Sequence, residues 1–200
     1  MIQVRLAAPR RAARVTGLIL GAALVRALLF PLGDLFSTII FAGCLLAITW
    51  FGNFSPPFAG EGRVGALARA GAMGTVRALV AGLMVGAILL APVATGSLSS
   101  RPWGAFLPWA AIATLVATLE ETSIRGVLYR RWEGEAGTVA AIVVGAAVFA
   151  LIHLPRYGLG AMPLDAAVGL ALGGLRALTG RVWPCVVAHT VADWGAWFWA

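Results

Sequence analysis

Residues 136–154 read AGTVAAIVVGAAVFALIHL, a run with no Asp, Glu, Lys or Arg and with one histidine, His153, near its end. It is apolar on every face, and its length approaches the roughly 20 residues that carry an α-helix across a bilayer. Residues 78–95, ALVAGLMVGAILLAPVAT, have the same character. Hydrophobic residues make up 60% of the 200 and charged residues 12%, which excludes a single soluble domain, because its helices would keep polar faces. The chain therefore reads as one membrane domain over residues 1–200, an all-α polytopic transmembrane helix bundle.

Seven apolar segments are expected: Val15–Phe30, Phe36–Trp50, Ala78–Thr95, Gly104–Tyr129, Ala136–Leu154, Leu164–Leu178 and Val182–Trp199. The second and sixth are short, so six spans is the alternative. Proline, glycine and polar clusters around Pro31–Asp34, Asn53–Pro57, Ser97–Pro102, Trp132–Glu135, Pro155–Pro163 and Thr179–Arg181 mark the breaks. The longest connection, Asn53–Arg77, suits a surface-lying helix or a loop. Trp103, Trp132, Trp183, Trp197 and Trp199 fall near segment ends, where an indole anchors at the interface. Gly17 with Gly21, Gly82 with Gly86 and Gly169 with Gly173 have the spacing that lets helices approach closely in lipid. No internal repeat is present, which weighs against a transporter built from repeated halves.

The net charge of +7 comes entirely from arginine, since the chain has no lysine. The arginines flank apolar segments, as topology requires, and leave no basic soluble surface to track phosphates; nucleic acid is not an expected partner. With the amino terminus cytoplasmic, Arg5, Arg10, Arg11, Arg14, Arg63, Arg69, Arg77, Arg130, Arg131 and Arg181 fall inside, and Arg101 and Arg156 outside. The expected setting is a bacterial inner (cytoplasmic) membrane. Cys44 and Cys185 sit in apolar segments and read as packing residues.

Three short patterns interrupt the apolar runs: Glu120-Glu121-x-x-x-Arg125, Phe149-x-x-x-His153 and His189-x-x-x-Asp193. An ionisable group at the centre of a membrane helix costs about 2.5–3.5 kcal/mol on insertion scales, so such a collection needs a reason. In each pattern an i,i+4 pair shares a helix face. Glu121 is placed to neutralise Arg125 as a structural ion pair, which leaves Glu120, at about 100° per residue away, free for chemistry. A carboxylate there beside His153 suits activation of a water that attacks a peptide carbonyl. His189 and Asp193 suit the developing oxyanion, with Asp193 orienting His189. By rise alone His153 stands about 7 Å above Glu120, and His189 is harder to bring level. Structural hydrogen bonding and an ion or proton path are the competing explanations for the set; together the residues favour hydrolysis.

The ordered set resembles the CPBP family of intramembrane proteases, which includes the CAAX prenyl endopeptidases and members linked to bacteriocin processing. The resemblance covers a catalytic core at residues 104–199; residues 1–77, a variable N-terminal part of spans and loop, add membrane character. It implies a membrane endopeptidase in which Glu120 and His153 activate water while His189 and Asp193 complete the site, with Glu121, Arg125 and Phe149 in support. Many members carry asparagine where this chain has Asp193. The family has also been labelled metalloprotease; a zinc reading would take Glu120, His153 and His189 as ligands. A metal-free, glutamic-type site without a cofactor is preferred, since no His-Glu-x-x-His pattern occurs. The expected substrate is a membrane-anchored or membrane-inserted peptide or protein. A non-catalytic immunity or partner-binding protein of the same family is the alternative, and a proton or ion carrier ranks last.

Overall fold

The computed structural model describes residues 10–53, 72–91 and 105–199, and within them the chain is helical with no strand. The rods are α1 (Arg10–Leu29), α2 (Asp34–Asn53), α3 (Ala72–Leu89), α4 (Phe106–Glu121), α5 (Tyr129–Ala136), α6 (Thr138–Tyr157), α7 (Met162–Thr179) and α8 (Trp183–Trp199). A π-helical turn, Thr122–Leu128, joins α4 to α5 without a break, so these two form one rod. Among the described residues four stretches, Arg11–Leu32, Asp34–Gly52, Thr138–Tyr157 and Leu159–Thr179, are long and apolar enough to cross a bilayer, and Gly74–Leu89 is apolar but shorter. The fold is an all-α helical membrane bundle. Of the expected Asn53–Arg77 connection, residues 54–71 lie outside the described residues, as does Trp103, while residues 72–77 form the start of α3.

Gly137, at φ 89, ends α5 and lets α6 begin at Thr138, while its N–H still bonds the carbonyl of Glu133. Gly180, at φ 66, closes α7 with its N–H on the carbonyl of Arg176. Helix α6 does not stop before Pro155, as its sequence suggested, but runs on to Tyr157. The extra residues matter, because they hold Arg156 on the helix.

The start of α1 and the end of α5 share one face of the bundle: the N–H of Ala12 bonds the Glu135 carboxylate and Trp132 Nε1 bonds Thr16 Oγ1 at 3.1 Å. Asp34 and Arg156 pair at the opposite end of α1 and α6. Trp197 is not an interfacial anchor. It is buried in an aromatic cluster with Phe106 and Trp109, which ties α8 to the start of α4.

Close helix approach accounts for two of the three glycine pairs. A Cβ on Gly82 or Gly86 of α3 would stand 2.8 and 2.9 Å from the carbonyl oxygens of Pro184 and Ala188 on α8; one on Gly169 of α7 would stand 2.7 Å from Ala146 Cα on α6. Gly17 and Gly21 meet nothing within 4 Å among the described residues. Gly169→Val is therefore expected to cost about 1–3 kcal/mol by overpacking, read as a lowered thermal midpoint in detergent, while Gly17→Val leaves the midpoint unchanged. Equal midpoints would contradict the α6–α7 contact.

Candidate active site

Glu120 and Glu121 end α4, and both are buried. The π turn that follows has no sequence signature, yet turns of this kind concentrate at functional sites. Its residues Ser123–Leu128 are all buried, because the rod passes through the middle of the bundle here. Arg125, 1% exposed, donates through Nη1 to Glu121 Oε1 at 3.0 Å and through Nη2 to the carbonyl of Gly169 at 3.1 Å. Arg176 of α7 holds the other side of this turn by donating Nε–H to the Arg125 carbonyl at 3.0 Å.

Phe149 fills the space beneath these charges. The Arg125 guanidinium lies 4.7 Å from its ring centroid, the His153 ring packs against it at a tilt with centroids 4.4 Å apart, and His189 meets it edge-on at 5.4 Å. One aromatic ring thus fixes a cation and both imidazoles.

The hydrogen bonds of the histidines define their tautomers. His153 Nδ1 is 2.8 Å from the carbonyl of Phe149, and a carbonyl only accepts, so Nδ1 carries the proton. His189 Nδ1 is 3.0 Å from Glu121 Oε1, a carboxylate oxygen already accepting from Arg125, so here too Nδ1–H donates. Each neutral imidazole then presents an Nε2 lone pair. Both point at Glu120 Oε2, and each Nε2 is 3.9 Å from it. Three acceptor atoms facing one point need a donor or a cation between them. Atoms 3.9 Å apart are too distant for a direct hydrogen bond and leave room for a water at about 2.8 Å from each.

The structure thus brings Glu120, His153 and His189 together from α4, α6 and α8, and the offset along the helices is closed by the way the rods pack. Asp193 lies at the rim. Its Oδ1 is 3.8 Å from His189 Nε2, beyond hydrogen-bonding range, so the orienting bond expected from Asp193 comes instead from Glu121. Glu121 consequently does more than neutralise Arg125. Cys185, one turn before His189, is buried and donates to the Leu172 carbonyl, a packing role away from the cavity.

A cavity of about 100 Å³ opens beside Glu120. One face of α4, bearing Trp109, Ile112, Ala113, Val116 and Ala117, forms an apolar wall leading to Glu120. The same cavity is lined by Arg26, Asp34 and Arg156, none of which sequence reasoning placed in the site. Arg26 had a visible signal, a charge in mid-run of the first apolar segment. Arg156 passed as a topological flank.

One carboxylate oxygen and two imidazole nitrogens within 4.8 Å of one another, each imidazole held through its other nitrogen, is a donor set that suits a catalytic metal ion. The residues present therefore fit such an ion.

The family of Rce1-like type II CAAX prenyl endopeptidases matches this chain over residues 102–195, the stretch that carries all three patterns. No curated protein and no solved structure matches the chain.

Proposed function

We propose, on the premise that residues 102–195 are similar to a family of membrane peptidases, that this protein hydrolyses a peptide bond of a membrane-inserted or lipid-anchored peptide with Glu120 as general base. The observation that carries the reading is the convergence of Glu120 Oε2 with the Nε2 atoms of His153 and His189 at one water-sized gap. A water there donates to Glu120 and His153. As its oxygen attacks the carbonyl, its proton passes to Glu120, and the same carboxyl later delivers that proton to the departing amine. His189, when it carries a second proton, donates through Nε2 to the tetrahedral oxyanion, with Glu121 behind it and Asp193 beside it to balance the charge. The low-dielectric surroundings strengthen each of these interactions. The apolar wall of α4 accepts the hydrophobic part of the substrate.

A bound metal ion would be held by Glu120, His153 and His189 and would supply Lewis-acid polarisation of the carbonyl. Glu121 is held through Oε1 by both Arg125 and His189 Nδ1, whereas Glu120 Oε2 faces the gap between the two Nε2 atoms, so Glu120 is the carboxylate best placed to act as base. Cleavage by purified protein is accordingly expected to survive a strong zinc chelator. Loss of cleavage that added zinc restores would transfer Glu120 from base to ligand.

The arginine-rich end, with Arg11, Arg14, Arg130, Arg131 and Arg181, is assigned to the cytoplasmic side of a bacterial inner membrane. The Asp34–Arg156 end of the cavity then faces outward.

A further inference from the structure

Activating a water and holding an oxyanion ask for opposite groups, and the cavity is rich in acceptors. Glu120 and Asp193 are carboxylates, and the Nδ1–H groups of His153 and His189 are engaged by the Phe149 carbonyl and Glu121, so both Nε2 atoms also face the gap as acceptors. Arg156 donates to Asp34, Arg26 to Thr38, and Thr38 Oγ1 to Asp34, all on the side of the α1–α2 hairpin. Two further donors line the cavity, Trp109 Nε1 and the Tyr157 hydroxyl, and neither is hydrogen-bonded among the described residues. Trp109 stands about 16 Å of helix rise from Glu120 and packs on Trp197 at the end of α8. Tyr157 is one turn from His153 on the same face of α6. Its ring lies nearly parallel to that imidazole, at 12° with centroids 5.8 Å apart, and the Arg156 guanidinium is 5.5 Å from its centroid. Phe149, His153 and Tyr157 thus form one column of rings, with the imidazole in the middle.

We propose that Tyr157 is a catalytic residue whose phenolic O–H donates a hydrogen bond to the oxyanion formed on the scissile carbonyl. It belongs to none of the three patterns that mark the site, and its role rests on the peptidase reading. As the water oxygen bonds to the carbonyl carbon and its proton passes to Glu120, the C=O π pair moves onto oxygen, where the phenol meets it. The phenol keeps its own proton. When the C–N bond breaks, the pair returns to the carbonyl and Glu120 protonates the departing amine, so the proton balance of hydrolysis is unchanged. His189 donates from Nε2 only after gaining a second proton, whereas a phenol donates at neutral pH without one. Asp193, an acceptor while ionised, cannot supply that bond. Tyr157 is 47% exposed, so its side chain has the freedom to turn the hydroxyl over the gap when a carbonyl arrives. A tyrosine that served purely as an interfacial anchor would need its hydroxyl for the membrane surface, not a ring laid against the catalytic imidazole.

Tyr157→Phe tests this, because it keeps the ring against His153 and removes the hydroxyl alone. For cleavage of a membrane-inserted peptide in nanodiscs, kcat is expected to fall about 10²–10³-fold, the usual loss for one oxyanion donor. KM and the thermal midpoint should stay as they were, since the bond is made only in the transition state. Tyr157→Leu, which also removes the ring contact, should lose at least as much. A role confined to positioning His153 gives the opposite pattern, with Tyr157→Phe fully active and Tyr157→Leu impaired, and that pattern overturns the proposal. A second readout needs no turnover: the same peptide with a phosphinate in place of the scissile amide, tetrahedral and anionic, should bind Tyr157→Phe about 10²-fold more weakly than the unsubstituted protein. Equal phosphinate affinities, or an effect on KM alone, would likewise remove the hydroxyl from the chemistry. Absence of cleavage by the unsubstituted protein would end the peptidase reading and this proposal together, a result distinct from a cleaving protein that is indifferent to Tyr157→Phe.

Discussion

Glu120→Gln is expected to lower peptide-bond cleavage by about 10²–10⁴-fold, the usual contribution of a positioned acid–base group, while the protein still inserts and melts as before. The substitution keeps the size of the side chain and removes its basicity. Stability should hold because Glu120 makes no direct hydrogen bond to either imidazole: both Nε2 atoms stand 3.9 Å away. The change also removes a carboxylate from a position that is 2% exposed, which relieves desolvation instead of adding to it. Single-turnover cleavage of a membrane-inserted peptide, paired with a thermal melt by circular dichroism, separates the two effects. Cleavage at the unsubstituted rate would remove Glu120 from the role of base, and a large drop in melting temperature would make it a structural group. His153→Ala should lose cleavage as well, but with a stability cost, since it vacates the tilted ring contact with Phe149 and the bond to that residue's carbonyl.

The helical spans were legible because a bilayer admits few apolar-core alternatives: a run such as residues 136–154 must bury every backbone polar group internally, and a helix does so. Boundaries blurred where a residue obeys two rules. Pro155 suggested a break, yet it sits where the rod is already ending, and α6 continues past it to Tyr157. The glutamates and histidines of the site stood out because ionisable groups are rare in such runs. Their division of labour did not, because i,i+4 spacing describes contacts within one helix and says nothing about rotation between helices. It linked Asp193 to His189 on α8, whereas the shorter contact to that imidazole crosses from Glu121 on the neighbouring rod. The π turn after Glu121 has no compositional mark, and it lies where Arg125 reaches both Glu121 and Gly169. Arg26, Asp34 and Arg156 come from three different helices, so no spacing along the chain could pair them; each looked like a flank or a stray charge until the packing joined them.

Arg125→Met is expected to be among the most destabilising single changes in the bundle, about 3–5 kcal/mol, because it strands the Glu121 carboxylate, 0% exposed, without its cation. The loss includes the hydrogen bond to the Gly169 carbonyl and the contact with the face of Phe149, so α7 and α6 both lose a tie to the central rod. The double variant Arg125→Met/Glu121→Gln removes both charges at similar volume, and neutral replacement of a buried pair is often without cost, so most of the lost stability should return. Activity should not return with it. The amide oxygen of glutamine can still accept from His189 Nδ1–H, which keeps the ring oriented, but it carries no charge to offset the proton that His189 holds while it faces the oxyanion. Denaturation midpoints and cleavage rates of the two single variants and the double variant would therefore part company. If the double variant were no more stable than Arg125→Met alone, an unpaired carboxylate would not be the cause of the instability; if its cleavage recovered fully, Glu121 would be structural support and no part of the proton chemistry at His189.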